Sequence, residues 1–417
     1  MERHLYRWLL LSILSLTVAG VFALLAAMAR TPAVGVFAGD AFRVALVVHV
    51  IFAVVVWFLS FQAVLWCYSA TRIAPLQGRL WGTGVWLAAA GMAMLAASPL
   101  TGASPLLTDY FPLLLHPVYF AGLALVALGT ACAAIAYLKH LRGRGELELP
   151  AYGMMLTALV LLVTCLSFLS SGFINRGSYG ALVWGPGHIF QVGNTLAMVS
   201  AWGVLLIRGL GIEADSPLLR KLMLLYLAVA MLMPGIYFFP TWEQPMLFTL
   251  AMMYGIALPS VPVALLVLKA LASRRLDLRE PRVSSLLYSL LLFGVGGVMG
   301  FFAGGADLRV PAHYHGVLGA VTLAFMGTTY HLLSRLGIPF NRRLAMVQPH
   351  LYGSGLLLVI LGLFWAGMLS APRKAPEYTS TAASLAMNLM GAGSIVAVAG
   401  GAAFAAGVLI ALLRVSR

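Results

Sequence analysis

Apolar residues in this chain run in blocks of about twenty, separated by short breaks that carry Pro, Gly and nearly all of the charge. A hydrocarbon core of about 30 Å needs roughly 20 residues of helix. Twelve blocks reach that length, near 8–28, 44–68, 80–98, 111–138, 153–172, 186–208, 218–239, 246–268, 283–304, 312–334, 349–370 and 384–413. No break is long enough for a soluble domain. Residues 1–417 therefore predict one integral membrane domain, an all-α polytopic bundle of twelve transmembrane helices. The first block follows Arg3 and Arg7 as a signal peptide would, but it is too long for one and lacks a cleavage site, so it is expected to stay as the first helix.

Composition agrees: 62% of the 417 residues are hydrophobic and 9% charged, which excludes an ordinary soluble protein. The formal charge of +14, from 26 Lys and Arg against 12 Asp and Glu, would suggest nucleic acid on a polar chain. Position decides otherwise. Counted on alternate sides of the spans, one side holds only Arg30, Arg43, Arg176, Arg309, Arg373 and Lys374; the other 20 of the 26 lie with the two termini and the breaks around Arg72, Arg142, Lys221, Arg274 and Arg342. Short basic loops stay cytoplasmic. Both termini are expected in the cytoplasm, the chain in the cell inner membrane with the lipid bilayer as its partner, and nucleic acid drops out. Cys67, Cys132 and Cys165 lie inside apolar runs with no metal-binding or haem-attachment spacing, and read as buried, inert thiols.

All twelve acidic residues fall in breaks or at span ends, so the intramembrane carboxylate of an ion carrier is missing. That weighs against a transporter with scattered structural histidines. Histidines lie deeper. His49, His116, His188, His313 and His315 fall in the first two turns of spans entering from the outer side, at a depth of about 5–10 Å. A lone intramembrane His usually bonds a carbonyl or hydroxyl, but a shared layer of them suits haem, whose iron takes axial imidazoles. His313 and His315, about 200° apart around a helix, point to opposite faces and cannot chelate one ion. One helix would serve two prosthetic groups. A bis-histidine haem b needs a second axial ligand on a facing helix, and His49 is suitably placed; the other haem, with one protein ligand, would stay open to a small gas or a second metal, with His188 facing that opening.

These residues resemble subunit I of the haem-copper oxidases, specifically the B-type branch. AHYHGVLGAVTLAFMG at 312–327 is similar to the family's tenth helix, WGPGH at 184–188 to its sixth, LLLHPVYFAGL at 113–123 to its fourth, VQPHLYGSGLLL at 347–358 to its eleventh, and FWAGMLSAPRK at 364–374 to the stretch that meets haem propionates. The resemblance runs along nearly the whole chain. It implies His313 on the iron of a high-spin haem, His315 and His49 on a low-spin haem b, Arg373 and Lys374 at propionates, and His188 as a copper ligand with a catalytic place. It also implies an electron donor at the outer face, such as a cytochrome c or cupredoxin-type subunit, and small partner subunits.

The chain departs from the pattern at the copper. The family places a His pair on its seventh helix, but MLMPGIYFFPTWEQP at 231–245 has none, and no His lies between His188 and His313. One imidazole holds copper weakly, which leaves copper in doubt. The family's sixth-helix tyrosine is Val192, and the glutamate of nitric-oxide reductases is absent. His116 is a poor substitute ligand. Tyr237, Tyr119, Gln191 and Asn194 could bond a haem ligand, though helix packing explains them better, and the hydroxyls of Thr322, Thr328, Thr329 and Tyr330 do not by themselves make a proton path. His4, His140, His331 and His350 read as interfacial. Two functions follow. One is an oxidoreductase passing electrons through low-spin haem b to a second haem that reduces O₂ or NO. The alternative is a degenerate homologue without copper, acting as haem electron carrier, gas sensor or assembly partner.

Overall fold

The computed structural model describes residues 3–34, 39–108, 110–272, 274–304, 306–373 and 380–415. Among them, twelve helices are long and apolar enough to cross a membrane: α1 (Arg3–Arg30), α2 (Asp40–Thr71), α3 (Arg79–Thr101), α4 (Pro117–His140), α5 (Leu149–Ile174), α6 (Tyr179–Gly209), α7 (Pro217–Phe238), α8 (Gln244–Ala272), α9 (Pro281–Phe301), α10 (Arg309–Arg335), α11 (Arg342–Met368) and α12 (Thr381–Arg414). Each overlaps one predicted block. The protein is a multi-pass, all-α membrane protein.

Helix starts follow from the breaks. Pro117, Pro150, Pro217 and Pro281 sit in first turns, where a missing N–H removes no helical bond. The side chains of Ser178, Ser216 and Asn341 accept from the amides of Ala181, Leu219 and Leu344, capping α6, α7 and α11. One departure from the predicted boundaries is α4, which begins at Pro117 rather than near 111. Leu113–Leu115 is extended and His116, which precedes a proline, has φ −154° and ψ 141°.

Contacts divide the chain into two compact units. One contains Met1–Leu11, Phe58–Ala103 and Thr108–Arg275; in it α3 packs on α4, α5 on α6, and α8 on α6 and α7. The other contains Ser12–Trp57, Ser104–Leu107 and Leu276–Arg417, with α10 packed on α9 and α11, and α11 on α12. Close backbone approach replaces large side chains at some of these contacts: a Cβ on Gly84 would lie 2.6 Å from the Gly129 carbonyl oxygen. The most apolar stretch of α6 is 94% buried and that of α10 is 89% buried, against 22–67% for the other ten. These two are the core helices, each of its own unit, and they carry the histidine motifs.

Two segments are wound as π-helix, Ile51–Val56 within α2 and Val204–Gly209 at the end of α6. The cysteine expectation is corrected in part. Cys67 is buried, but Cys132 and Cys165 are half-buried.

Candidate functional site

In the second unit, three imidazoles share one chemical state. His49 Nδ1 lies 3.1 Å from the Ala19 carbonyl of α1, His313 Nδ1 2.8 Å from the Gly296 carbonyl of α9, and His315 Nδ1 2.7 Å from the Pro311 carbonyl one turn back. A carbonyl can only accept, so each Nδ1 carries the proton and donates it. Nε2 keeps its lone pair, which is the state in which an imidazole ligates iron. The donor set fits haem.

The predicted divergence of the α10 pair is visible in these partners. His313 leans on α9, where glycine makes room: a Cβ on Gly300 would lie 2.7 Å from the His313 Nδ1, and one on Gly296 would lie 2.9 Å from the Gly316 Cα. His315 turns elsewhere, with the Tyr314 ring against it at 4.9 Å and 28°. His49 and Arg30 lie within electrostatic range of His315. His49 itself stands two residues before the π-helical stretch of α2, an irregularity frequent at functional sites.

Arg373 lies in a strap held to the start of α10. Its amide donates to the Ala306 carbonyl (2.9 Å), and the Leu308 amide donates to the Ala371 carbonyl (3.1 Å). Arg30 and Arg373 both act on Tyr314, the neighbour of His315. Beside the strap, the Arg309 guanidinium donates to both oxygens of Asp307. That bonding holds the Asp307 carboxyl below the ordinary carboxylate range, against a smaller opposite push from burial and with help from Arg373. Lys374 lies outside the described residues.

In the first unit, His188 is buried near the start of α6, and its Nδ1 is 2.6 Å from the Trp184 carbonyl one turn back. Its surroundings are aromatic: ring centroids lie at 4.6 Å for Tyr110, 5.0 Å for Trp184 and 6.4 Å for Phe248. The glycines of WGPGH permit this enclosure. A Cβ on Gly187 would strike the Tyr110 ring at 2.2 Å, and one on Gly185 would meet the Tyr237 hydroxyl at 2.6 Å and Phe248 at 2.7 Å. Tyr237 also hydrogen-bonds the Ser167 hydroxyl at 2.9 Å. Tyr110 was not singled out in the sequence; the only hint there was an aromatic just before Pro112 in the break preceding α4. Among the described residues no three His, Cys, Asp or Glu side chains gather at metal-binding distance.

Several other expectations change. His116 is not within a membrane helix but caps α4: its Nδ1 accepts from the Val118 amide (3.3 Å), so its tautomer is opposite to that of the other four. Tyr119 donates to the Pro112 carbonyl. His331, expected at an interface, is buried in α10, because this helix is enclosed along nearly its whole length. His140 and His350 bond the carbonyls of Ala70 and Leu278. The Thr328 and Thr329 hydroxyls donate to carbonyls one turn back, at 2.8 and 2.9 Å. Thr322 accepts from the Trp57 indole (3.3 Å), and Tyr330 donates to Gln348 (3.0 Å).

A twelve-span helical protein carrying these imidazoles belongs to a defined class of membrane oxidoreductase. The family described as cytochrome c and quinol oxidase polypeptide I matches residues 3–401, and the chain belongs to that family. It is 30% identical over 340 residues to an uncharacterized protein of Aquifex aeolicus, covering 79% of this chain and 84% of that one. It is 26% identical over 390 residues to cytochrome c oxidase subunit 1 of Thermus thermophilus, covering 79% of this chain and 68% of the relative. Among solved structures, a haem-copper terminal oxidase dimer determined by cryo-EM shares the fold with a TM-score of 0.79 at 18% identity, over 99% of this chain and 85% of that one.

Proposed function

We propose that this chain is a haem-binding oxidoreductase of the B-type branch, in the cell inner membrane with both termini cytoplasmic. It takes electrons from an outer-face donor such as a cytochrome c or cupredoxin-type subunit. They pass through a low-spin haem b to a second haem, at which O₂ or NO is reduced. Haem supplies an iron that gains and loses one electron and, with an axial position open, binds a diatomic gas. His49 and His315 would hold the low-spin haem, and His313 would hold the other.

The observation that carries this reading is the shared state of the three imidazoles, each fixed through Nδ1 with Nε2 free for a metal bond. Fixing the ring through a carbonyl also raises its basicity as a ligand. Arg373 and Lys374 are assigned to propionates: Arg373 stands in a backbone-held strap, and guanidinium suits a carboxylate.

A reduced-minus-oxidised optical spectrum of the purified protein tests the reading, with b-type bands expected. A pyridine haemochrome assay should count two haems per chain, and CO should shift the spectrum of one. A spectrum without b-type bands overturns the proposal. The second reading, a haem electron carrier, gas sensor or assembly partner, is favoured by the missing histidines of 231–245. Haem that responds to CO without consumption of O₂ or NO decides for it.

A further inference from the structure

We infer that His188 and Tyr110 form a metal-free imidazole–phenol pair, in which Tyr110 stands where a second metal ligand would have to be and so decides that the site offers hydrogen bonds and no copper. The inference concerns the first unit alone, and it deepens the proposed function by naming what lies beside His188.

The placement is geometric. Two imidazoles bound side by side to one ion, with metal–nitrogen bonds of about 2.0 Å, have ring centroids about 4–5 Å apart. Tyr110 lies at 4.6 Å from His188, tilted by 35°, a separation that such a partner would also have. The remaining neighbours, Trp184 and Phe248, supply no ligating atom. Copper held by one nitrogen does not compete with cellular chelators. The phenol is no replacement, because its oxygen is already engaged by Gln191.

Tyr110 is also held in place by a buried chain of amides. Gln62 Nε2 donates to Asn194 Oδ1 at 3.0 Å, Asn194 Nδ2 donates to Gln191 Oε1 at 3.2 Å, and Gln191 hydrogen-bonds the Tyr110 phenol. With one lone pair of its carbonyl taken by Asn194, Gln191 can present its NH₂ to the phenol oxygen. The hydroxyl proton of Tyr110 then remains for another acceptor. Gln62 and Asn194 are 2% and 1% exposed, and buried polar groups of this kind are costly unless they are satisfied. The chain is a built feature whose terminus is the phenol.

Copper retention after loading with a copper salt and dialysis against a chelator tests this on the full-length purified protein, with haem counted separately in every sample. The wild-type protein and His188→Ala should both keep less than a tenth of a copper per chain. Tyr110→His supplies a second imidazole and should raise retention at least tenfold, with electron paramagnetic resonance showing two equivalent nitrogens; adding His188→Ala should cancel the gain. If Tyr110→His fails to fold, Tyr110→Ala with free imidazole fills the same space, and copper should be held only when imidazole is present. Stoichiometric copper in the wild-type protein that His188→Ala removes would overturn the inference, and so would folded variants that gain no copper. Haem loss in the wild-type sample would count against the proposed function and leave this inference standing.

Discussion

The core helices α6 and α10 belong to different units, yet they solve the same first problem in the same way. Each presents histidine near one end, buried on α6 and half-buried on α10, in a segment containing Gly and Pro. In each, a backbone carbonyl takes the Nδ1 proton, of Trp184 for His188 and of Pro311 or Gly296 for the α10 pair. What differs is the neighbourhood. His188 is packed among Tyr110, Trp184 and Phe248, whereas His313 meets the cleared backbone of α9 at Gly296 and Gly300. The contrast teaches that a helix can set the donor state of an imidazole locally, but its neighbours decide what that donor can hold.

Replacing His315 with Ala should break the α10 side most severely. One of two axial bonds is lost, so the low-spin spectrum should vanish; an unchanged low-spin signal would remove His315 from the role. Gly300→Ala is a gentler test of the same side. The added methyl collides with the His313 ring, and occupancy of the second haem, read by the CO-induced difference spectrum, should fall about tenfold, the lower end of what disturbing a ligand's supporting shell costs. Full CO response in Gly300→Ala would mean that His313 is not the ligand.

On the α6 side, His188→Ala should leave the haem count near two, because the imidazole is engaged with aromatic rings; loss of both haems would show the contrast between the helices to be false. The smallest effect concerns the strap. Because Arg309 depresses Asp307, the stabilisation is complete above the unfolded carboxylate value of about 3.9 and is lost only as pH falls through the still lower folded value. Hydrogen exchange at the Arg373 amide should therefore show no extra opening, beyond intrinsic rate changes, between pH 7 and about 4.5. Asp307→Asn should raise that opening at every pH in the interval.

Most of the fold was legible because membrane spans announce themselves by length, and twelve apolar blocks became twelve helices. The pair His313 and His315 was equally readable, since 200° of rotation follows from spacing alone. His116 misled because hydropathy runs smoothly through 111–116 while Pro117 forces the residue before it to be extended. Tyr110 was hidden for a different reason. Its partners His188, Gln191 and Gln62 lie far along the chain on two other helices, and no periodicity within the break before α4 encodes a meeting set by Gly187. His331 shows the limit of reading polarity by side: a position near a helix end can still be enclosed when its helix is central.

The π-helical stretch of α2 has a consequence for inheritance. A π turn amounts to one residue inserted into an α-helix, and each residue carries about 100° of rotation. Ile51–Val56 therefore separates the half of α2 bearing His49 from the half bearing Gln62. Substitutions can retune either half alone, but deleting a single residue within the stretch would swing one of the two polar side chains by about a quarter of a turn. Length in this segment is constrained more tightly than identity, a constraint that lies in the count of residues and in no particular side chain.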